Sequence, residues 1–259
     1  MIDRIKEAFE NGKAFIPFIT SGDPSLETTE QLVYAMDDAG ADIIELGVPF
    51  SDPTAEGPVI QAANLRALSA GTTTDKIFSM IAKIRQKTQI PLILMTYANV
   101  VYSYDTELFL KKAASVGVDG LILADVPYEE KEEFSDVCDE YGLCLISMVA
   151  PTSKERVKMI AKDAKGFVYC VSSLGVTGTR KEIKTDVSSM VKLVKEANDI
   201  PCAIGFGISM PETAREMALQ SDGAIVGSAI VKICEKYGAE SVPYVSEYVK
   251  RMKEAVSEL

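Results

Sequence analysis

Histidine is missing from this 259-residue chain, and so is tryptophan. Without histidine there is no Ser–His or Cys–His nucleophile, no histidine-ligated metal and no ordinary neutral-pH proton shuttle. Acid–base chemistry then falls to carboxylates, tyrosine or lysine. Cysteine is scarce: Cys138, Cys144, Cys170, Cys202 and Cys234 are widely spaced and form no C-x-x-C pair. They read as reduced, buried thiols rather than a disulfide framework. Basic residues number 27 against 38 acidic ones, for a formal charge of -11. That balance argues against nucleic acid or an anionic membrane as a partner, while backbone N–H groups could still bind an anionic small molecule. No apolar run approaches the ~18 residues that span a bilayer, and the charged, amphipathic start MIDRIKEAFENG lacks the apolar core of a signal peptide. A cytoplasmic location is expected.

What the chain does have is material for a core, with 47% hydrophobic and 25% charged residues, so disorder is excluded. Short apolar runs at 14–20, 41–47, 91–97, 120–126, 143–149, 166–172, 201–206 and 223–229 alternate with helical patterns at 25–39, 73–87, 105–116, 129–141, 153–163, 184–198, 210–219 and 241–257. The runs are nearly continuous in apolar character, as parallel strands covered on both faces must be. Ser25 and Asp105 read as helix caps, and Ser209 with Glu212 reads as a capping box with Pro211 in the first turn. The pattern predicts a (β/α)8 TIM barrel forming a single domain over 1–259, with a doubly wound sheet as the alternative. The step from the second strand to the third is much longer than the others, and the surplus at 48–72 predicts a long loop and an extra helix. Another extra helix is expected after the eighth strand, and residues 1–11 are expected to form a helix that plugs the opposite end.

Active sites of such barrels sit at the C-terminal ends of the strands. Glu45 ends the run Ile43-Ile44-Glu45-Leu46-Gly47, where desolvation raises a carboxylate's pKa into a useful range; the alternative is a buried structural ion pair. Glu56, in the loop that follows, could share acid and base roles with it. By position alone Glu56 and Asp52 are as well explained as solvated loop charges or helix-start carboxylates. Asp125, Tyr97 and Tyr169 end other strands and could orient substrate or simply pack. Gly205-Phe206-Gly207, Gly227-Ser228 and Gly175-Val176-Thr177-Gly178 follow three successive strands. They suggest a phosphate site with a lid, because glycine lets backbone N–H groups approach an anion closely. No strand run contains lysine, which disfavours a Schiff-base aldolase, and no carboxylate cluster has metal-ligand spacing. The residues thus point to metal-free, carboxylate-driven proton transfer on a phosphorylated small molecule.

The segments FITSGDP (18–24), ELGVPFSDPTAEGPVIQ (45–61), YAN (97–99), ADVP (124–127), SSLGVTGTR (172–180), GFGIS (205–209) and GSAIV (227–231) resemble, in order and end to end, the tryptophan synthase alpha subunit family. The resemblance implies cofactor-free retro-aldol cleavage of indole-3-glycerol phosphate to indole and glyceraldehyde 3-phosphate. It implies that Glu45 is the general acid–base at indole C3 and the glycerol hydroxyl, and that Glu56 works at the indole N–H. Glu56 stands where the family usually has aspartate, one methylene shorter. Phe18, Ile60, Met95, Tyr97, Ile122, Asp125, Met148 and Tyr169 would line the indole pocket. Gly178, Phe206, Gly207, Gly227 and Ser228 would surround the phosphate, with Thr177 in the lid. The family also implies a beta subunit in an alpha2beta2 complex that receives the indole and holds pyridoxal phosphate, with the loop at Pro49, Asp52 and Pro53 and the YAN segment near the interface. Two other functions stay open on sequence: a non-catalytic subunit that activates the beta chain, and a partner-independent indole-releasing lyase.

Overall fold

Adjacent apolar residues such as Ile43 and Ile44 need two different hydrophobic surroundings, and a closed barrel supplies them. The computed structural model describes residues 4–172, 187–205 and 207–258. Among these, eight parallel strands form a ring: β1 (Ala14–Thr20), β2 (Ile44–Gly47), β3 (Leu92–Thr96), β4 (Gly120–Leu123), β5 (in two pieces, Cys144–Leu145 and Ser147–Val149), β6 (Val168–Val171), β7 (Cys202–Gly205) and β8 (Gly223–Val226). β5 is interrupted at Ile146 because it serves two neighbours. Its first piece pairs with β4, its second with β6, and the Ile146 N–H donates to the Leu121 carbonyl at 2.9 Å. β8 pairs with β1 on the other side, which completes the barrel.

Inside the ring, Ile16, Ile43, Ile93, Ile122, Ile146 and Ile225 pack into one buried cluster. Their neighbours Phe15, Ile44, Leu92 and Leu121 point outward and pack beneath the helices. Each such side chain contributes about 1.5–3 kcal/mol on burial, and neither set could be made polar without loss. The expected plug is present: α1 (Arg4–Glu10) buries Ile5 among the inward isoleucines and sets Phe9 5.6 Å from the Phe167 ring.

The helices follow the expected order, with the predicted surplus in place. α2 (Leu26–Asp38) is capped by Ser25, whose Oγ accepts the Thr28 N–H at 3.1 Å. After β2 come α3 (Pro58–Ser69), the extra helix, and α4 (Thr74–Ile84). One helix escaped the sequence reading: α5 (Ala98–Tyr104) precedes α6 (Thr106–Ser115), which Asp105 caps as expected. α5 is short and brings no polar N-cap of its own. Its first N–H is taken instead by Asp125 from the next strand end, at 2.9 Å. A 3-10 turn, Tyr128–Glu130, splits the start of the pattern that becomes α7 (Glu132–Tyr141). α8 (Lys154–Lys162), α9 (Val187–Ala197), α10 (Pro211–Leu219), α11 (Ser228–Tyr237) and α12 (Val242–Ser257) complete the shell, α11 being the extra helix after β8. The predicted capping box at Ser209 does not form. Met210 is the N-cap of α10 and makes no side-chain cap bond, while the Ser209 carbonyl accepts the Tyr248 hydroxyl at 2.9 Å.

At the N-terminal rim, three aspartates just before even-numbered strands brace the preceding strand. Asp42 accepts the Phe15 N–H at 2.7 Å, Asp119 the Leu92 N–H at 2.9 Å and Asp222 the Cys202 N–H at 2.8 Å. Each also holds a cation: Lys253, Arg85 with Arg4, and Lys195. No helix among the described residues is long and apolar enough to cross a membrane.

Candidate active site

Strand periodicity carries the barrel's inward face from Ile43 to Glu45. The register places Glu45 beside Phe18 of β1 and one step from Met95 of β3. Glu45 is 1% exposed and its Oε1 has no hydrogen-bond partner among the described residues. Burial alone pushes its pKa up to about 8, so it holds its proton at neutral pH. Tyr169, inward from β6, is also buried. Its hydroxyl is pushed well above its ordinary range by burial and by the nearby Glu45.

The loop after β2 folds back over this rim and delivers Glu56 to the same space. The carboxylate is buried, so Glu56 is not the solvated loop charge that its position alone allowed, whereas Asp52 remains exposed. Asn64 of α3 donates from Nδ2 to Glu56 Oε2 at 2.8 Å, and Gln61 donates from Nε2 to the Glu56 carbonyl at 2.7 Å. The Tyr97 hydroxyl bonds the Glu56 carboxylate and accepts the Ala55 N–H at 3.1 Å. Burial pushes the Glu56 pKa up, and Asn64 and Tyr97 restrain the rise. The Phe50 ring stands 5.3 Å from that of Tyr97 and covers it.

Glu45, Glu56, Phe18, Ile60, Met95 and Tyr169 line one cavity. Gly207, Ile208, Ile225, Gly227 and Ser228 line it too. Ser228 opens α11, so the first N–H groups of that helix lack intrahelical acceptors and form a natural anion site. Gly207 has φ 83°, which glycine takes without strain. A Cβ on Gly227 would lie 3.2 Å from the Phe18 ring, and one on Gly205 would lie 2.3 Å from the Tyr169 hydroxyl. The cavity therefore combines apolar side chains, two carboxyl groups and the backbone donors at the start of α11. No cationic side chain is among its described lining.

Of the residues named from sequence, Phe18, Ile60, Met95, Tyr169, Gly207, Gly227 and Ser228 join the two glutamates at the cavity. Tyr97 is buried beside it and acts on Glu56. Ile122 belongs to the barrel cluster, and Met148 packs half-buried against that cluster. Asp125 does not line the cavity. It lies in the turn after β4, is exposed, and accepts the Ala98 N–H of α5. Phe206, Thr177, Gly178 and the 173–184 lid lie outside the described residues. Sequence reasoning missed Ile208, Ile225 and Asn64. Ile225 sits two residues before Gly227, on the same strand face, and Asn64 sits one helical turn after Ile60, so both had a positional signal. Among the described residues no group of three or more histidine, cysteine, aspartate or glutamate side chains could hold a metal ion.

The family model for the tryptophan synthase alpha chain matches residues 5–257. The tryptophan synthase alpha chain of Thermoanaerobacter sp. (strain X514) is 47% identical over 262 residues, covering 98% of this chain and 100% of that one. That of Lacticaseibacillus casei is 43% identical, over 99% and 96% of the two chains. Among solved structures, tryptophan synthase subunit alpha from Legionella pneumophila str. Paris superposes with a TM-score of 0.91 at 36% identity, over all of both chains. A chain of the tryptophan synthase complex from Pyrococcus furiosus gives 0.87 at 33% identity, over 94% of this chain and 99% of that one.

Proposed function

The chain belongs to the tryptophan synthase alpha chain family, and from that premise we propose how its own residues divide the chemistry. The enzyme is a carbon–carbon lyase that cleaves indole-3-glycerol phosphate to indole and glyceraldehyde 3-phosphate, and it works with a beta subunit in an alpha2beta2 assembly. Glu45, protonated before substrate arrives, gives its proton to indole C3 while Glu56 takes the indole N–H proton, forming the 3H-indole tautomer. Glu45, now a carboxylate, removes the proton of the adjacent glycerol hydroxyl. The C3–carbon bond then breaks, its electron pair restores the indole ring, and the hydroxyl carbon becomes the aldehyde. Glu56 returns the proton to indole nitrogen. Both glutamates end as they began, so the cycle needs no external acid or base.

Phe18, Ile60, Met95 and Tyr169 supply the apolar walls for a planar indole. The phosphate goes against Gly207, Gly227 and Ser228, with Phe206, Gly178 and the Thr177 lid assigned to the same group by resemblance. We assign Tyr97 to holding Glu56, and leave Ile122, Asp125 and Met148 as supports of the pocket. The alpha chain itself would need no cofactor, pyridoxal phosphate being left to the beta partner. The chain would act as one catalytic barrel in the cytoplasm.

The observation that carries this division is Glu45: a fully buried acid, without a partner on Oε1, facing the cavity that Glu56 also enters. Indole release from indole-3-glycerol phosphate by the purified chain, with and without a beta subunit, tests it. Slow release that rises strongly with the partner is expected, along with loss of release in Glu45→Gln while phosphorylated substrate still binds. Unchanged activity in Glu45→Gln would remove its assigned role. No release by the parent under either condition would return the reading of a non-catalytic activating subunit. Full activity alone, indifferent to the partner, would favour an independent lyase.

A further inference from the structure

The two glutamates enter one cavity, yet Glu56 is bonded both by Tyr97 and by Asn64, the latter from a neighbouring helix. α3 presents Ile60 to the cavity and, one turn later on the same face, buries Asn64 at 3% exposure. Asn64 is not among the residues that line the cavity. Its amide points at Glu56 Oε2 from 2.8 Å. α3 is itself fastened to the barrel: Arg66, half a turn further on, makes a two-pronged ion pair with buried Asp23 after β1, at 2.8 Å in each prong. The Glu56 carboxylate is therefore gripped by a donor on a helix that is itself held, while Glu45 Oε1 has no donor among the described residues.

We propose that Asn64 is a positioning residue that, alongside Tyr97, makes the two glutamates unlike: its amide holds Glu56 in place as a proton acceptor while Glu45 is left to serve as the proton donor. This rests on the division of roles proposed above. Two carboxyl groups in one apolar cavity would by default respond alike to burial, and unlike environments are what separate an acid from a base. An amide donor favours the charged form of the group it binds, so it offsets part of the burial penalty on Glu56. It also fixes the rotamer. A glutamate has three side-chain torsions to order, and an acceptor misplaced by about 1 Å loses on the order of 100-fold in rate. The titratable groups facing Glu56 are Tyr97 from the end of β3 and, across the cavity, Glu45 of β2 and Tyr169 of β6. Among the described residues none of these groups is cationic.

The test is a double-mutant cycle on indole release by the chain assembled with its beta subunit. Asn64→Leu keeps the side-chain bulk and removes the donor. It is expected to lower kcat by roughly 10- to 100-fold with little change in KM, and to move the acidic limb of the kcat/KM profile to higher pH, since Glu56 loses a bond that favours its carboxylate. In the Glu56→Gln background the same substitution should cost almost nothing more. Additive losses in the cycle, an unmoved pH limb or parental kcat in Asn64→Leu would each overturn the proposal. Should Asn64→Leu not fold, Asn64→Ser, smaller and still polar, runs through the same cycle with the same criteria. Failure here is distinct from failure of the assigned roles, because Glu45→Gln tests those in the parent background: an inactive Glu45→Gln beside an additive cycle would leave the roles standing and Asn64 without one.

Discussion

At the N-terminal rim of the barrel, Asp42, Asp119 and Asp222 are partly buried acids, and each is answered by a backbone N–H and by a lysine or arginine. At the C-terminal rim, Glu45 is buried more deeply and, among the described residues, its Oε1 is answered by nothing, while Glu56 is answered by two neutral donors and no cation. Burial pushes Asp42 and Asp119 upward as well, but their cations and N–H partners pull back. The same residue type thus does opposite work at the two ends. Satisfied acids brace strands, and an unsatisfied acid stores a proton at the cost of stability.

The strongest way to break that contrast is to neutralise the unsatisfied acid. Glu45→Gln is expected to lower indole release by about 10²–10⁴-fold, the usual span for a general acid–base. It should also stabilise the fold where the parent is penalised. A carboxyl whose folded pKa is raised contributes its full stability below the unfolded value near 4.5 and loses it as pH rises through about 8. Glutamine does not titrate, so urea melts of the two proteins should diverge in favour of the variant as pH rises from about 4.5 to about 8 and run parallel above that. A gap that does not change with pH would mean that Glu45 is not the raised acid.

Removing a satisfied acid should do the reverse. Asp119→Ala leaves the Leu92 N–H and the Arg85 and Arg4 guanidiniums without their acceptor, so a loss of about 3 kcal/mol is expected in urea denaturation. The kcat of the protein that remains folded should stay close to parental. A large fall in kcat at unchanged stability would show that the two rims are not separable.

A smaller effect sharpens the comparison at the catalytic end. In Gly205→Ala the new methyl lies 2.3 Å from the Tyr169 hydroxyl and must push that ring toward the cavity. Overpacking of this kind costs about 1–3 kcal/mol. It should appear mainly as a rise in KM of roughly tenfold, since 1.4 kcal/mol is a factor of ten; steady-state kinetics will show it. Least of all should follow from the exposed pair Lys112–Asp75. Lys112→Ala is expected to shift stability by less than about 1 kcal/mol and activity not at all, which sets the baseline for the larger changes.

Much of this was legible in the residues. The run Ile43-Ile44-Glu45-Leu46-Gly47 announces a strand buried on both faces that ends in a carboxylate, and the long insert at 48–72 announces an extra helix at the rim. Local pattern misled where a partner came from far away. Ser209 has the chemistry of a cap, yet the helix starts one residue later. α5 shows no cap in its own sequence because Asp125 supplies one across the barrel. Asp125 itself was placed in the pocket by proximity to a strand end, whereas it stands exposed in the turn after β4 and accepts the Ala98 N–H. The bracing aspartates went unread because their meaning lies in pairings with residues far along the chain.

Composition and periodicity by themselves determined the class of fold, the number of strands, the exclusion of histidine-dependent chemistry and the choice of Glu45. Those depend on residue type and short-range spacing, which a linear chain carries in full. Only the tertiary structure decided that Glu56 is buried, that Asn64 and Tyr97 hold it, and that Glu45 Oε1 is left without a partner. Hydrogen bonding and desolvation depend on which atoms meet across the barrel, and closure of the ring is what brings them together.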